Sequence, residues 1–141
     1  DVTAHVDFVQ LSDIEVAGGA DLEGRGTIEV EHLKVTASGG SDVRLVANVP
    51  ELEFALSGGS DLSVEGSTEA LRIEASGGSD VSARSLMARV ADVRLGGGSD
   101  ATIHVSERLD VTAHGGSDVS VYGNPAERRV DADRSSDVTW E

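Results

Sequence analysis

One short motif, repeated along the chain, constrains the fold of this sequence more than any other feature. Ser-Gly-Gly-Ser-Asp ends at Asp42, Asp61 and Asp80, and variants of the motif end at further aspartates. The full set of these aspartates is Asp21, Asp42, Asp61, Asp80, Asp100, Asp118 and Asp137. Neighbouring members lie 18 to 21 positions apart. A period of this length indicates a solenoid, in which each repeat is one structural unit that packs on the next.

Apolar residues recur with a period of two on both sides of the motif. Val43 and Leu45 flank the polar Arg44, and Ile73 and Ala75 flank Glu74. This alternation is typical of β-strands, and such strands bury their apolar face only when coil stacks on coil. The sequence therefore predicts one all-β domain over residues 1–141, a single-stranded parallel β-helix of about seven coils. Right-handed winding is expected for parallel crossovers.

The register of this stacking makes the core explicit. We expect eight side chains to be nearly fully buried: Leu45, Phe54, Leu56, Val64, Ile73, Val81, Val93 and Val111. Each coil is predicted to run through a strand, the Gly-Gly corner, a second strand and an irregular third side. That third side holds turn-forming residues such as Pro50, Gly66 and Asn124-Pro125.

The motif itself has the composition of a tight corner. Glycine reaches positive φ without steric cost, so at least one glycine of each pair is expected there, with Gly39, Gly58, Gly77, Gly97 and Gly115 at equivalent corners. The aspartates are expected to form a structural ladder, stabilised mainly by backbone N–H donors. The alternative is a ladder of bound cations. Calcium takes six to eight oxygen ligands, and one carboxylate per coil supplies few of them. The sequence therefore predicts no metal site and no cofactor.

The overall composition limits the classes of partner and reaction. A net charge of −15 repels phosphate, so nucleic acid and anionic lipid are poor partners, and no apolar run is long enough to insert into a membrane. The four histidines show no zinc-binding spacing, and Gly-x-Ser-x-Gly is absent. Carboxylates follow the repeat instead of departing from it locally, as those of an active site would. We therefore predict that the protein is not an enzyme and that catalytic residues are absent.

The C-terminal two-thirds of the chain resembles the bacterial head GIN domain of auto-transporter adhesins. The resemblance rests on the Ser-Gly-Gly-Ser-Asp corners, on the stretch from Ser106 to Pro125 that ends in Val-Tyr-Gly-Asn-Pro, and on the final Asp-Arg-Ser-Ser-Asp-Val-Thr-Trp. It implies a β-solenoid that is secreted to the cell envelope or cell surface and takes part in adhesion. The chain is then expected to be the mature or excised part of a longer secreted protein.

Two functions of different classes stay open at this point. An adhesin would bind a surface glycan or protein and would show exposed aromatic residues or an irregular loop on one face. A structural or self-assembling rod would show only faces that obey the repeat, and its ends or edges would form a homo-oligomer because bare edge strands invite pairing. Tyr122 and Trp140 are the single Tyr and Trp of the chain, which slightly favours the rod.

Overall fold

A computed structural model describes residues 2–7, 13–28 and 31–141, with the side chains of residues 13–23 and 31–141. These residues form strands and no helix, and so contain no helix that could cross a membrane. The strands are β1 (Val2–Asp7), β2 (Asp13–Val16), β3 (Ala20–Ile28), β4 (His32–Ala37), β5 (Asp42–Leu56), β6 (Asp61–Ala75), β7 (Asp80–Leu95), β8 (Asp100–Ala113), β9 (Asp118–Tyr122), β10 (Glu127–Ala132) and β11 (Asp137–Trp140).

All the strand pairs are parallel, and each joins one coil to the next. Strand β5 pairs with β6 from Asp42↔Asp61 to Leu56↔Ala75, and β6 pairs with β7 from Asp61↔Asp80 to Ala75↔Leu95. The motif aspartates are therefore neighbours across coils, as the spacing predicts. The result is a parallel β-solenoid of about six turns, close to the seven predicted. The predicted fold class is confirmed.

The core lies inside the coil and runs along its length. In β5 the inward residues alternate from Val43 to Val49, and the alternation restarts at Leu52 after two successive outward positions. The eight residues predicted to be buried are each at most 5% exposed, which confirms the predicted register. Burial of a Leu or Val side chain contributes roughly 1.5–3 kcal/mol, so this column of aliphatic residues supplies most of the driving force for stacking.

The third side of the coil is more regular than its composition predicts. Strands β5 and β6 each continue for 15 residues, from one corner almost to the next, and include Pro50 and Gly66. Pro50 lies outward at a bend within the strand, where its missing N–H does not interrupt the register on either side. Gly66 has a φ of 123°, and a Cβ there would collide with the carbonyl group of Ala47. Both residues therefore shape the strand without ending it.

Candidate binding surface

Each predicted corner is a sharp turn made by two glycines of positive φ. In all six Gly-Gly pairs both φ angles lie between 65° and 79°, where the sequence predicts at least one. The first glycines stack directly: a Cβ on Gly39, Gly58, Gly77, Gly97 or Gly115 would lie 2.9–3.1 Å from the backbone N of the glycine one coil earlier. The second glycines have more room, and a Cβ on Gly78 would meet no atom within 4 Å. The first glycine of each pair is therefore required both by its positive φ and by the close approach of the preceding coil, and the second by its positive φ alone.

A column of buried serines lies immediately inside these corners. Ser41, Ser60, Ser79, Ser99 and Ser117 are each 0% exposed. Each hydroxyl donates to the carbonyl oxygen three residues earlier, over 2.6–2.8 Å. Ser136, at 6% exposure, continues the column, and the hydroxyls of Ser99, Ser117 and Ser136 also accept from the backbone N–H of the serine one coil earlier. The serine column thus satisfies buried backbone groups both within and between coils.

The aspartate ladder lies on the surface beside this column. Its members pair in register from Asp21 to Asp137 and are exposed, apart from the half-buried Asp21. The expected backbone donors do not reach the carboxylates of Asp42, Asp61, Asp80, Asp100 or Asp118 among the described residues. The N–H groups nearby are already used: that of Asp61, for example, donates to the carbonyl oxygen of Ser41 over 2.9 Å.

Repulsion between neighbouring carboxylates of the ladder is therefore not offset by hydrogen bonds from backbone N–H groups. Burial and the flanking carboxylates of Asp80 and Asp42 raise the pKa of Asp61 above its ordinary value. The carboxylates follow one another along a line, and in the described part of the chain no three acidic or histidine side chains converge as metal ligands. The ladder is a column of like charges at a structural corner, and its role beyond the corner stays a prediction.

The last corner, Asp133–Ser136, is built differently. It lacks glycine and has no residue of positive φ. Asp133 closes the turn instead: one carboxylate oxygen accepts from the N–H of Ser135 over 3.2 Å, and the other accepts from the N–H of Gly115 over 2.9 Å. Hydrogen bonds from the N–H of Gly115, from the Ser136 hydroxyl and, to a lesser extent, from Ser135 hold the pKa of Asp133 well below its ordinary value. A carboxylate can therefore replace the glycine pair as the device that turns the chain.

A second bend in each coil forms a surface that the sequence analysis did not single out. At this bend successive residues point outward: Pro50–Glu51, Glu69–Ala70 and Arg89–Val90 in three coils, and Glu107–Arg108, preceded by the outward Ser106, in the fourth. We call this stack the ridge. Arg89 links three of its coils, because its guanidinium lies 3.0 Å from a carboxylate oxygen of Glu107 and 3.6 Å from one of Glu69.

The ridge departs from the repeat at strand β7. This strand has 16 residues, and its pairing shifts register against β6 near Gly66 and against β8 on both sides of Met87. The shifts coincide with two outward apolar side chains, Met87 at 56% exposure and Val90 at 37%. The β7 irregularity also places Arg84 over the ring of Tyr122, 4.3 Å from its centroid. Irregular pairing and exposed apolar surface therefore occur in the same place.

Two grooves flank the ridge. The first, of about 460 Å³, is lined by Asn48, Pro50, Ser67, Thr68, Met87 and Arg89, among others, and we call it the Met87 groove. The second, of about 260 Å³, lies on the other side of the bend and is lined by His32, Glu51, Glu53, Ala70, Leu71, Arg72, Val90 and Asp92, together with Leu52; we call it the Val90 groove.

The sequence contains a signal for this surface, although a weak one. Asp80 and Asp100 are 20 positions apart, whereas Asp42, Asp61 and Asp80 are each 19 apart. The extra residue belongs to the coil that carries Met87, the single methionine of the chain. Spacings range from 18 to 21 and the longest lies between Asp21 and Asp42, so length alone does not mark this coil; the combination of an extra residue with the single methionine is the signal.

Comparisons with known proteins agree with this architecture. A solved structure from Bacteroides fragilis, described as a "putative adhesin", superposes with a TM-score of 0.87 at 19% identity. The alignment covers 93% of this chain and 61% of that one, so this chain spans less than two-thirds of its length. At this identity the likeness shows the fold alone. No curated protein sequence is significantly similar to this chain.

The sequence profile of one family matches most of the chain. The matched residues are 1–125, so the match begins earlier than the resemblance noted from the corners and ends before the last corner. The family is described as "putative auto-transporter adhesin, head GIN domain", and this chain belongs to it.

Proposed function

We propose that this chain is a non-enzymatic, adhesin-type binding module of the bacterial cell surface or envelope, and that it binds through the ridge. The observation that carries the proposal is the coincidence of Met87 and Val90 exposure with the register shifts of β7. A solenoid that served only as a spacer would have no need to expose Met87 and Val90 where the pairing of β7 shifts register. Clustered exposed apolar residues mark interaction sites, and bulges commonly re-aim side chains at such sites.

The family and the chain's charge support the remaining parts of this proposal. The family description supports an adhesive role and a location on the secreted side of the cell envelope. The net charge of −15 disfavours nucleic acid and anionic lipid as ligands, which leaves a surface glycan or a protein. Asn48, Ser67 and Glu69 offer polar groups beside Met87, so the Met87 groove combines an apolar contact with hydrogen-bonding partners, as binding sites do.

Array binding of the purified chain tests this proposal. The labelled protein is applied to a printed glycan array and to immobilised extracellular-matrix proteins, beside the variant Met87→Gln. This variant keeps the length of the side chain but removes its apolar contact. Val46→Thr, on another outward face, is the matched control. We expect specific binding that Met87→Gln weakens and Val46→Thr does not. Binding that both variants retain in full would place the ligand away from the ridge and overturn the proposal.

A self-assembling rod is the second candidate, and one observation favours it. On β10, Val130 and Ala132 occupy the register positions of the fully buried Val111 and Ala113, yet Val130 is 43% exposed and Ala132 is also exposed. Exposed core positions next to a strand edge favour association with another chain. Sedimentation over a wide concentration range at moderate salt would separate the candidates. Reversible growth that Val130→Asp abolishes supports the rod, and a monomer throughout excludes it.

A further inference from the structure

The Val90 groove has a chemistry that differs from that of the Met87 groove. Its floor is apolar, made by Leu52 and Leu71 at the bend, with the side chains of Ala70 and Val90 exposed along it. Its walls carry three carboxylates, Glu51, Glu53 and Asp92, but only one guanidinium, that of Arg72, and one imidazole, that of His32. The groove is therefore an apolar trough between mainly acidic walls.

Arg72 is the register neighbour of Glu53 and Asp92, and Lys34 is the other register neighbour of Glu53, but in the described part of the chain neither cation forms an ion pair with these carboxylates. Arg72 donates to Glu74, outside the groove, over 3.3 Å. Asp92 has only a loose contact of 3.7 Å with Arg94, and His32 lies 3.2 Å from Glu51. The half-buried Glu53 has no hydrogen-bond or ion-pair partner among the described residues. A ligand that brings a cation to Glu53 would thus gain an interaction that the protein does not make internally.

We infer that the Val90 groove binds an extended peptide segment of a partner protein in which aliphatic and basic residues alternate. The inference rests on the proposed function and specifies the partner's chemistry. An aliphatic side chain would cover Val90 and Ala70, and flanking Lys or Arg side chains would pair with Glu53 and Asp92. The lining extends over four strands, from β4 to β7. At about 4.8 Å per coil it is about 14 Å long, which matches roughly four residues of extended chain.

Charge complementarity is the argument for this occupant. An apolar trough alone would accept any hydrophobic segment, and the carboxylates alone would attract any cation. Together they select a segment that is both aliphatic and basic, since an acidic segment would meet Glu51, Glu53 and Asp92 and a polar basic one would leave Val90 exposed. The net charge of −15 strengthens attraction of such a partner at long range.

Peptide titrations followed by amide chemical shifts test the inference. The full chain, labelled with ¹⁵N, is titrated with blocked Lys-Leu-Lys-Val-Lys, and with Lys-Ser-Lys-Ser-Lys, Glu-Leu-Glu-Val-Glu and maltoheptaose as comparison ligands. We expect only the first peptide to cause saturable shifts, localised around Glu53, Ala70 and Val90. Val90→Thr should weaken binding roughly tenfold, because it removes an apolar contact but keeps the branched shape.

The charge contribution has its own matched pair of variants. Glu53→Gln should weaken binding roughly two- to fivefold, as expected for a partly exposed ion pair. Glu65→Gln makes the same charge change at an exposed position on another outward face and should have no effect beyond that of net charge. An equal loss in both variants would mean non-specific attraction and would overturn the inference.

The comparison ligands separate this inference from the proposed function. Equal binding of Lys-Ser-Lys-Ser-Lys, shifts caused by maltoheptaose in place of the peptide, or no shifts with the first peptide at millimolar concentration would each overturn the inference. The proposed function would survive any of these results if array binding still depended on Met87. The proposed function alone would fail if array binding did not depend on Met87 while the peptide still bound at Val90.

Discussion

The Gly-Gly corner and the ridge are both bends of the same coil, yet the corner recurs almost unchanged while the ridge differs in every coil. Six corners use two glycines of positive φ, and five of these also place a fully buried serine after the pair. The ridge uses Pro-Glu, Glu-Ala, Arg-Val and Glu-Arg at equivalent positions. The corner is restricted on two sides, because its first glycine packs closely against the backbone of the preceding coil and its serine is buried in the core.

The difference lies in which atoms make the bend. At the first position of the stacked Gly-Gly corners, the backbones approach so closely that a Cβ would contact the neighbouring coil, so glycine alone fits there. At the ridge, side chains point away from the core and backbone φ stays negative in the described coils, so many residue types are compatible with the bend. A repeat protein can therefore change its surface at the ridge while the corner keeps the register. The exposed Val90 lies at this bend, and the exposed Met87 lies two residues before Arg89 on the same strand.

Truncation of a core side chain on the strand that leads into the corner should cause the largest loss of stability. Leu56 is 5% exposed and lies directly before the Ser57–Ser60 corner. Leu56→Ala should lower the free energy of unfolding by about 2–5 kcal/mol, because the lost burial is accompanied by a cavity. Urea denaturation measures the loss. A value well below 1 kcal/mol would mean that the coil collapses around the missing side chain and that packing does not fix the corner.

The two glycines of one corner should differ in their sensitivity. Gly77 and Gly78 both have positive φ, which costs an alanine roughly 1–2 kcal/mol. A Cβ on Gly77 would also lie 3.0 Å from the backbone N of Gly58, whereas a Cβ on Gly78 has open space. Gly77→Ala should therefore be more destabilising than Gly78→Ala, by about a further 1 kcal/mol, for a total of roughly 2–3 kcal/mol. Equal losses in urea would show that stacking does not restrict the corner.

Substitution of a serine in the buried column should cause the next largest loss of stability. The Ser99 hydroxyl donates to the Gly96 carbonyl over 2.8 Å and accepts from the Ser79 N–H over 3.3 Å. Ser99→Ala leaves both buried groups without this partner and should cost about 1–3 kcal/mol. The chain offers a natural counterpart, because Ala20 occupies the serine position of the Gly18-Gly19 corner. Ala20→Ser should introduce an equivalent hydrogen bond and recover part of its stabilisation. Thermal unfolding of both variants compares the loss of a serine hydroxyl with its gain.

Most of the fold could be predicted from the sequence because the corner imposes its register on everything else. The spacing of the aspartates and the alternation around Phe54 and Ile73 are sufficient to place each buried side chain, and the structure confirms them. The regular third side could not be predicted, because Pro50 and Gly66 break isolated strands. Here the hydrogen bonds of neighbouring coils hold the strand on both sides of them.

The candidate site was less predictable than the fold, for a related reason. Exposed positions obey no packing rule, so the sequence does not distinguish an outward Met87 from an inward one until the register shift of β7 is known. That shift depends on how coils of unequal length pair on both sides of β7, which is a property of three strands together. The hydrogen bonds of the serine column between coils could not be predicted either, because they depend on the stacked geometry.

Removal of a charge from the aspartate ladder should slightly increase stability, whereas the substitutions above decrease it. The pKa of Asp61 is raised in the folded protein, so folding favours its protonated form. The ionised carboxylate therefore destabilises the fold at neutral pH, and this penalty disappears as the pH falls through the folded pKa. Asp61→Asn should stabilise the protein by about a few tenths of a kcal/mol at pH 7 and by nothing at acidic pH, since solvent screens the exposed ladder. Thermal unfolding across this pH range measures the difference, and a loss of stability at pH 7 would mean that Asp61 accepts a stabilising bond.

Substitution at the ridge should have the smallest effect on stability, even at Arg89, the ridge residue with the most ion-pair contacts. Its guanidinium contacts Glu107 and Glu69, and the hydrogen bond and charge of Glu107, with the charge of Glu69, raise the pKa of Arg89. All three side chains are more than half exposed, at 52–69%, so water screens their attraction and ordering the long side chains costs entropy. Arg89→Gln should therefore leave the midpoint of urea unfolding unchanged within error, at low salt and at 1 M NaCl. A loss as large as that of Ser99→Ala, and removed by salt, would mean that the ridge is held by its ion pairs. The sequence of the ridge would then be restricted in the same way as that of the corner, and Val90 would no longer lie at a bend that is free to vary.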